Sequence, residues 1–210
     1  SSMSAFFEEG DVIINPLDRR GRPWDLMGEL SDEASYRQIA AALIPYMPGS
    51  NNDSWVDDGR TVLTAVLRSW KSLELGSMSS LAKLLGSQDI QRLAELVEGS
   101  AAARFFAEGN ERMLGSVLAR LTVASEMIGL LAKGTGEPVS IRRWVHEGQG
   151  RLWLPYRTDQ VQTLKSAYAC LLSIAMIETL SLPPNETRRL WFAIDETDHL
   201  GRITDLELLL

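Results

Sequence analysis

Between Ser31 and Lys133 the apolar residues recur at the three-and-four spacing of amphipathic helices for roughly a hundred residues, with no strand-like run among them. One short β-branched run, Asp11-Val12-Ile13-Ile14, precedes this block. Two follow it, Arg151-Leu152-Trp153-Leu154-Pro155 and Leu190-Trp191-Phe192-Ala193-Ile194. The resulting order is strand, helical block, strand, helix, strand, helix. Its latter part is the alternation of a parallel βαβ sheet, and a long helical stretch interrupting such a sheet must pack around a core of its own. The expected fold class is α/β, mostly helical, with a parallel sheet carrying an all-α insertion domain. Three segments follow: residues 5–30 as first strand and loop, 31–139 as the all-α insertion, and 140–210 as the remaining strand, helix and strand.

Inside the block the punctuation is local. Ser31 or Asp32 caps a helix presenting Tyr36, Ile39, Ala40, Leu43 and Ile44, which Pro45 and Pro48-Gly49 end. Asn52, Asp53 or Ser54 starts a second, with Trp55, Val62, Leu63, Val66, Leu67, Trp70 and Leu73 as its core stripe. Shorter helices follow around Leu81–Leu85 and, after a Ser87 cap, around Ile90–Val97. Asn110 then caps a long one that Gly134-Thr135-Gly136 breaks. Thr158 or Asp159 opens a last long helix, Val161 to Leu180, apolar nearly all round and therefore buried.

The chain has 210 residues, 45% of them hydrophobic, enough for a sizeable core. Its formal net charge of -7 argues against a surface that binds nucleic acid everywhere, though a local basic patch survives on an acidic domain. The single cysteine, Cys170, forms no internal disulfide and reads as a small buried hydrophobe. His146 and His199 have no Cys or His neighbour at ligand spacing. Ala167–Ile177, the most membrane-like stretch, is shorter than the about 20 apolar residues of a span, and Glu178 closes it. Ser1-Ser2-Met3-Ser4 has no signal-peptide pattern behind it and Leu208-Leu209-Leu210 stops inside a helical pattern, so a piece of a longer protein is expected.

Chemistry concentrates at Arg189-Leu190-Trp191-Phe192-Ala193-Ile194-Asp195-Glu196. An apolar run too short for a helix, ending in two carboxylates, reads as a buried parallel strand with its acids at the C-terminal edge, where open α/β sheets hold ligands. A Walker B strand needs this: the first acid holds a hydrated magnesium ion and the second polarises the attacking water. Ordinary surface turns also end strands this way. A basic stretch, Arg142, Arg143, Arg151, Arg157 and Lys165, diluted by Glu147 and Asp159, offers sequence-independent contacts to phosphates or simply a solvated face.

Several local sequences, in order along nearly the whole chain, resemble the type IV secretion coupling proteins of the TraD/TrwB group, ring-forming membrane-anchored ATPases of bacterial conjugation. They are Ile14-Asn15-Pro16-Leu17-Asp18 with Trp24, Trp55-Val56-Asp57-Asp58-Gly59-Arg60, Phe105-Phe106-Ala107-Glu108-Gly109-Asn110-Glu111, Ser140-Ile141-Arg142-Arg143-Trp144, and Arg188 to Glu196. The resemblance implies an incomplete RecA-like P-loop NTPase sheet interrupted by an all-α domain at the cytoplasmic mouth of a hexameric ring. Asp195 is then the magnesium-holding acid, through water, and Glu196 the residue that orients the attacking water; Thr197 departs from the apolar residue expected there.

No Gly-x-x-x-x-Gly-Lys-Ser/Thr loop occurs in the sequence, so the chain has no nucleotide-binding loop of its own. ATP and magnesium are expected as cofactors of a parent ATPase, with none bound to this piece, which is expected to be inactive alone. The function implied is part of a conjugative ATPase that recruits and pumps DNA or relaxosome substrate to a type IV secretion channel, the all-α domain being the DNA-engaging surface. The alternative is a non-catalytic helical module that docks relaxase, accessory or effector proteins. Expected partners are DNA, relaxosome proteins, channel components and copies of itself in a ring, with this piece a monomer or a dimer. The implied location is the cytoplasmic portion of a bacterial inner-membrane-anchored protein.

Overall fold

The computed structural model describes residues 7–46, 53–87, 89–185 and 187–195. The chain divides into two compact units, one formed by Glu29–Ala132 and the other by Ser1–Gly28 together with Lys133–Leu210.

In the second of these, β1 (Val12–Ile13) pairs in parallel with β2 (Leu152–Trp153), Val12 opposite Leu152 and Ile13 opposite Trp153. These strands stand where the β-branched runs predict them. Parallel pairing requires a crossover, and here it contains the whole helical block. A parallel bridge joins Trp24 to Val139, with Trp24 fully buried. Thr135 N donates to Gly21 O and Val139 N to Pro23 O, both at 2.8 Å. Residues 133–139, expected within the helical insertion, thus belong to the strand-bearing unit, because their backbone finds its partners in the loop after β1. Gly21 makes that loop possible: a Cβ there would stand 2.0 Å from Asn15 O. Three helices complete this unit: the short α1 (Leu26–Glu29), at whose end the chain crosses into the other unit, α7 (Ile141–Glu147) and α8 (Val161–Leu180). The buried residues of α8, among them Leu164, Tyr168, Leu171, Ile174 and Met176, surround much of its circumference, as the all-round apolar pattern requires.

The helical unit holds α2 (Glu33–Leu43), α3 (Asp53–Ser72), α4 (Met78–Ser87), α5 (Ile90–Val97), a 3₁₀ turn (Ala101–Phe106) and α6 (Glu111–Leu131). Asp32 caps α2: its carboxylate accepts from Ser35 N at 2.8 Å while Ser35 Oγ accepts from Asp32 N at 3.0 Å. Of the core stripe expected on α3, Val62, Leu63, Val66, Leu67 and Trp70 are buried as their spacing demands, whereas Trp55 in the first turn and Leu73 just past the helix end are exposed, and Val56 is the buried residue of the first turn. Helix α6 packs most extensively on α4 and also on α3. It approaches α4 through small residues, Ser125 Oγ donating to Ala82 O at 2.7 Å. Two expected caps differ. Ser87 ends α4, and it is Asp89 that caps α5 by accepting from Arg92 N at 3.1 Å. Asn110 precedes α6 but its amide reaches back to Arg104 O at 2.7 Å, holding the 3₁₀ turn rather than the helix.

By length and composition Glu111–Leu131 and Thr158–Leu180 are apolar enough to cross a membrane. Each packs on helices of its own unit, α6 on α4 and α3, and α8 on α7.

Candidate functional site

Helix α7 carries two of the sequence-predicted cations and begins at Ser140, whose hydroxyl accepts from Arg143 N at 3.1 Å. Ile141 and Val145 face the core. That register turns Arg142 toward α8, where its guanidinium donates to Glu178 Oε1 at 2.6 Å. Glu178 is 4% exposed, and His146 Nε2 stands 3.4 Å from its other oxygen. A carboxylate this buried must be paired, and Arg142 is the group that pairs it. Arg143, one position on, points outward with its side chain 63% exposed, 3.8 Å from Asp25.

The C-terminal end of α7 is held by Arg188. Its guanidinium donates to the carbonyls of His146 at 2.9 Å, Gly148 at 3.2 Å and Trp144 at 3.4 Å. A cation here satisfies the orphan carbonyls of a helix end and complements its dipole. The backbone around Arg188 is set by Asn185, whose Oδ1 accepts from the N–H groups of Thr187 and Arg188, both at 2.9 Å.

Beyond Arg188 the structure departs from expectation. Residues 188–194 are irregular rather than a buried strand, Trp191 is 85% exposed and Phe192 36%. A parallel strand apolar on both faces exists only between neighbours, and the sheet of the described residues has just β1 and β2. Asp195 is exposed at the end of this segment, and Glu196 lies outside the described residues. Among the described residues no three carboxylate, imidazole or thiolate groups converge, and the sequence supplies nothing to cradle phosphates.

The other candidate cations lie along β2 and α8. Arg151 pairs with Glu8 at 2.5 Å, which holds its pKa above the ordinary guanidinium value, and Arg157 pairs with Asp159 at 2.7 Å. Lys165 is half-buried beside Tyr156, Val161, Leu164 and Tyr168 in a shallow depression. The five cations therefore do not form one continuous face: Arg142, Arg151 and Arg157 are already tied to carboxylates. Glu178 and Arg188 are site residues that local sequence pattern does not mark. The acid terminating an apolar helix and the arginine preceding an apolar run were visible, but their partners lie 36 to 44 residues away in sequence.

The motifs that carry the resemblance also have structural roles. Asn15 is buried, its amide donating to Pro155 O and its carbonyl accepting from Leu17 N, both at 2.8 Å. Arg60 donates to Ile44 O at 2.8 Å beyond the end of α2 and stacks over Tyr46.

A family model for the type IV secretion-system coupling protein DNA-binding domain matches residues 2–210. The chain belongs to that family. The family expected from the motifs is thus the one found. The coupling protein TraD of Escherichia coli K12 is 33% identical over 203 residues, covering 93% of this chain and 28% of TraD. Among solved structures, the conjugative coupling protein TrwBdeltaN70 in a trigonal form with sulphate superposes with a TM-score of 0.85 at 26% identity, over 97% of this chain and 49% of that one. TrwB in complex with ADP and Mg2+ gives 0.84 at 25% identity, over 96% and 49%. The coupling-protein chain described here therefore spans under a third of TraD and about half of the TrwB structures. Its helical unit and two-stranded parallel sheet match part of the TrwB fold.

Proposed function

We propose that this chain is the DNA-engaging portion of a conjugative coupling ATPase, acting within a longer protein that pumps DNA or a relaxosome to a type IV secretion channel. The observation that carries the reading is the match of residues 2–210 to the coupling-protein DNA-binding domain. The geometry narrows the candidate contacts. Phosphate binding gains by counterion release, and a cation already bonded to a carboxylate has less to give. Arg143 and Lys165 are the best placed of the five, Arg143 being in the loosest ion pair, 3.8 Å from Asp25, while Arg151 and Arg157 are exposed but closely paired and Arg142 is committed to Glu178. In the complete protein Asp195 would be the acid toward a hydrated magnesium ion and Glu196 the acid toward the attacking water. Magnesium would there neutralise developing phosphate charge. The phosphate-cradling loop lies elsewhere in that protein, which we read as a ring of copies anchored at the bacterial inner membrane with this portion in the cytoplasm.

The test is fluorescence anisotropy of this chain with labelled single- and double-stranded DNA at about 50 and 200 mM salt. Saturable binding that weakens steeply with salt and falls on Arg143→Ala supports the reading. Absence of binding at the lower salt favours the second reading, a helical module that docks basic relaxase or accessory proteins. The neutralised cations and the net charge of -7 already lean toward such partners.

A further inference from the structure

We infer that Arg188 is a positioning residue that pins the start of the segment leading to Asp195 to the C-terminal end of α7. The inference rests on the acid-pair reading given above for its catalytic consequence, but not for its structural content.

Residues 189–195 belong to no helix or strand, so nothing in a backbone ladder fixes their path. What fixes the start of that path is Arg188, from two directions. Its N–H is held by Asn185 Oδ1, which closes a local turn. Its guanidinium spans three carbonyls, those of Trp144, His146 and Gly148, at the last turn of α7. Gly148 lets the chain leave α7 this tightly, because a Cβ there would fall 2.5 Å from Trp144 O and against the Trp144 ring. The helix is itself anchored, Arg142 reaching Glu178 of α8 at 2.6 Å. A planar guanidinium bridges several carbonyls at once, whereas an ammonium is a point charge on a flexible stem, so the geometry selects arginine.

Helix α7 also presents Arg143, the most exposed of the candidate phosphate contacts in this helix.

Two arms test it. In this chain, limited trypsin digestion reads the path directly through cleavage after Arg189. Arg188→Ala is expected to speed that cleavage about ten-fold while Arg188→Lys falls between, and the melting temperature separates local release from global unfolding. An unchanged rate in Arg188→Ala overturns the inference. In a complete coupling protein containing this chain, Arg188→Ala is expected to lower kcat for ATP about ten-fold with KM within about two-fold, as for a misplaced rather than a missing group. Unchanged kcat there overturns the positioning role. Asp195→Ala is the control: retained hydrolysis in that variant sinks the acid-pair reading, and with it the catalytic consequence, while the trypsin arm still decides whether Arg188 holds the segment.

Discussion

The Trp153 indole donates to Asp11 Oδ2 at 2.8 Å, and the same carboxylate accepts from the backbone N–H groups of Glu8 and Arg151, each at 3.1 Å. One side chain thereby ties the approach to β1 to the approach to β2. The indole hydrogen bond, ahead of the backbone donors, holds the Asp11 carboxyl below its ordinary 3.8. A depressed folded-state pKa contributes stability above the unfolded value that is lost as pH falls through the folded one. We expect the Trp153 indole proton resonance to be constant above about pH 4 and to shift only below it. Asp11→Asn removes the titration. A midpoint at or above 3.8 in the wild-type chain would contradict the assignment.

Breaking the Arg142–Glu178 pair from one side leaves a charge without its partner in the interior. With Glu178 at 4% exposure, Arg142→Met strands a buried carboxylate and is expected to cost about 3 kcal/mol of unfolding free energy by urea titration. Arg142 is partly exposed, so Glu178→Gln, which keeps a hydrogen-bond acceptor for it, is expected to cost less than half as much. Equal losses in the two variants would show that the pair, rather than the burial of one member, sets the cost.

The loop after β1 admits no side chain at one position. Gly21→Ala puts a methyl group 2.0 Å from Asn15 O, inside the turn whose other end receives the Thr135 N–H. Backbone, not a flexible side chain, must move. We expect a loss above about 2 kcal/mol, read as a lower melting temperature, with Gly10→Ala as a milder control because no atom crowds that site. Gly10 does carry a positive φ of 94°, so the control tests strain without crowding.

What could be read from the sequence was whatever depends on neighbours along the chain. Val12–Ile13 and Leu152–Trp153 are strands because β-branched and aromatic runs between turn residues have few alternatives, and the α3 stripe is buried because its period is helical. The caps were legible to within a residue or two: Asp32 serves as expected, whereas Asp89 takes the place assigned to Ser87. The strand expected at Leu190–Ile194 is not formed, because local preference for extension does not supply the neighbours that make a parallel strand. The candidate cations were visible as residues but not as pairs. Whether Arg142 is free or spent depends on Glu178, and only the packing of α7 on α8 decides it.

Tyr168 joins α8 to the ends of both strands in the strand-bearing unit. Its phenol is 1% exposed and its hydroxyl lies 2.7 Å from Pro155 O and 3.1 Å from Ile14 O, the residues that follow β2 and β1. One O–H shared between two carbonyls satisfies both in part, and the Asp18 carboxylate adds to burial in disfavouring a phenolate. Burial therefore pushes this phenol far above its ordinary 10.0. The sign follows: the unfolded chain ionises first, so the stability this group lends is complete below pH 10 and declines as pH rises beyond it. Tyr168→Phe keeps the ring packing and removes the donor, for an expected loss of about 1–2 kcal/mol at neutral pH. The variant should also lose less stability than wild type between about pH 10 and 11, since it has no buried phenol to ionise. Parallel decline of the two proteins over that interval would place the alkaline sensitivity elsewhere in the chain.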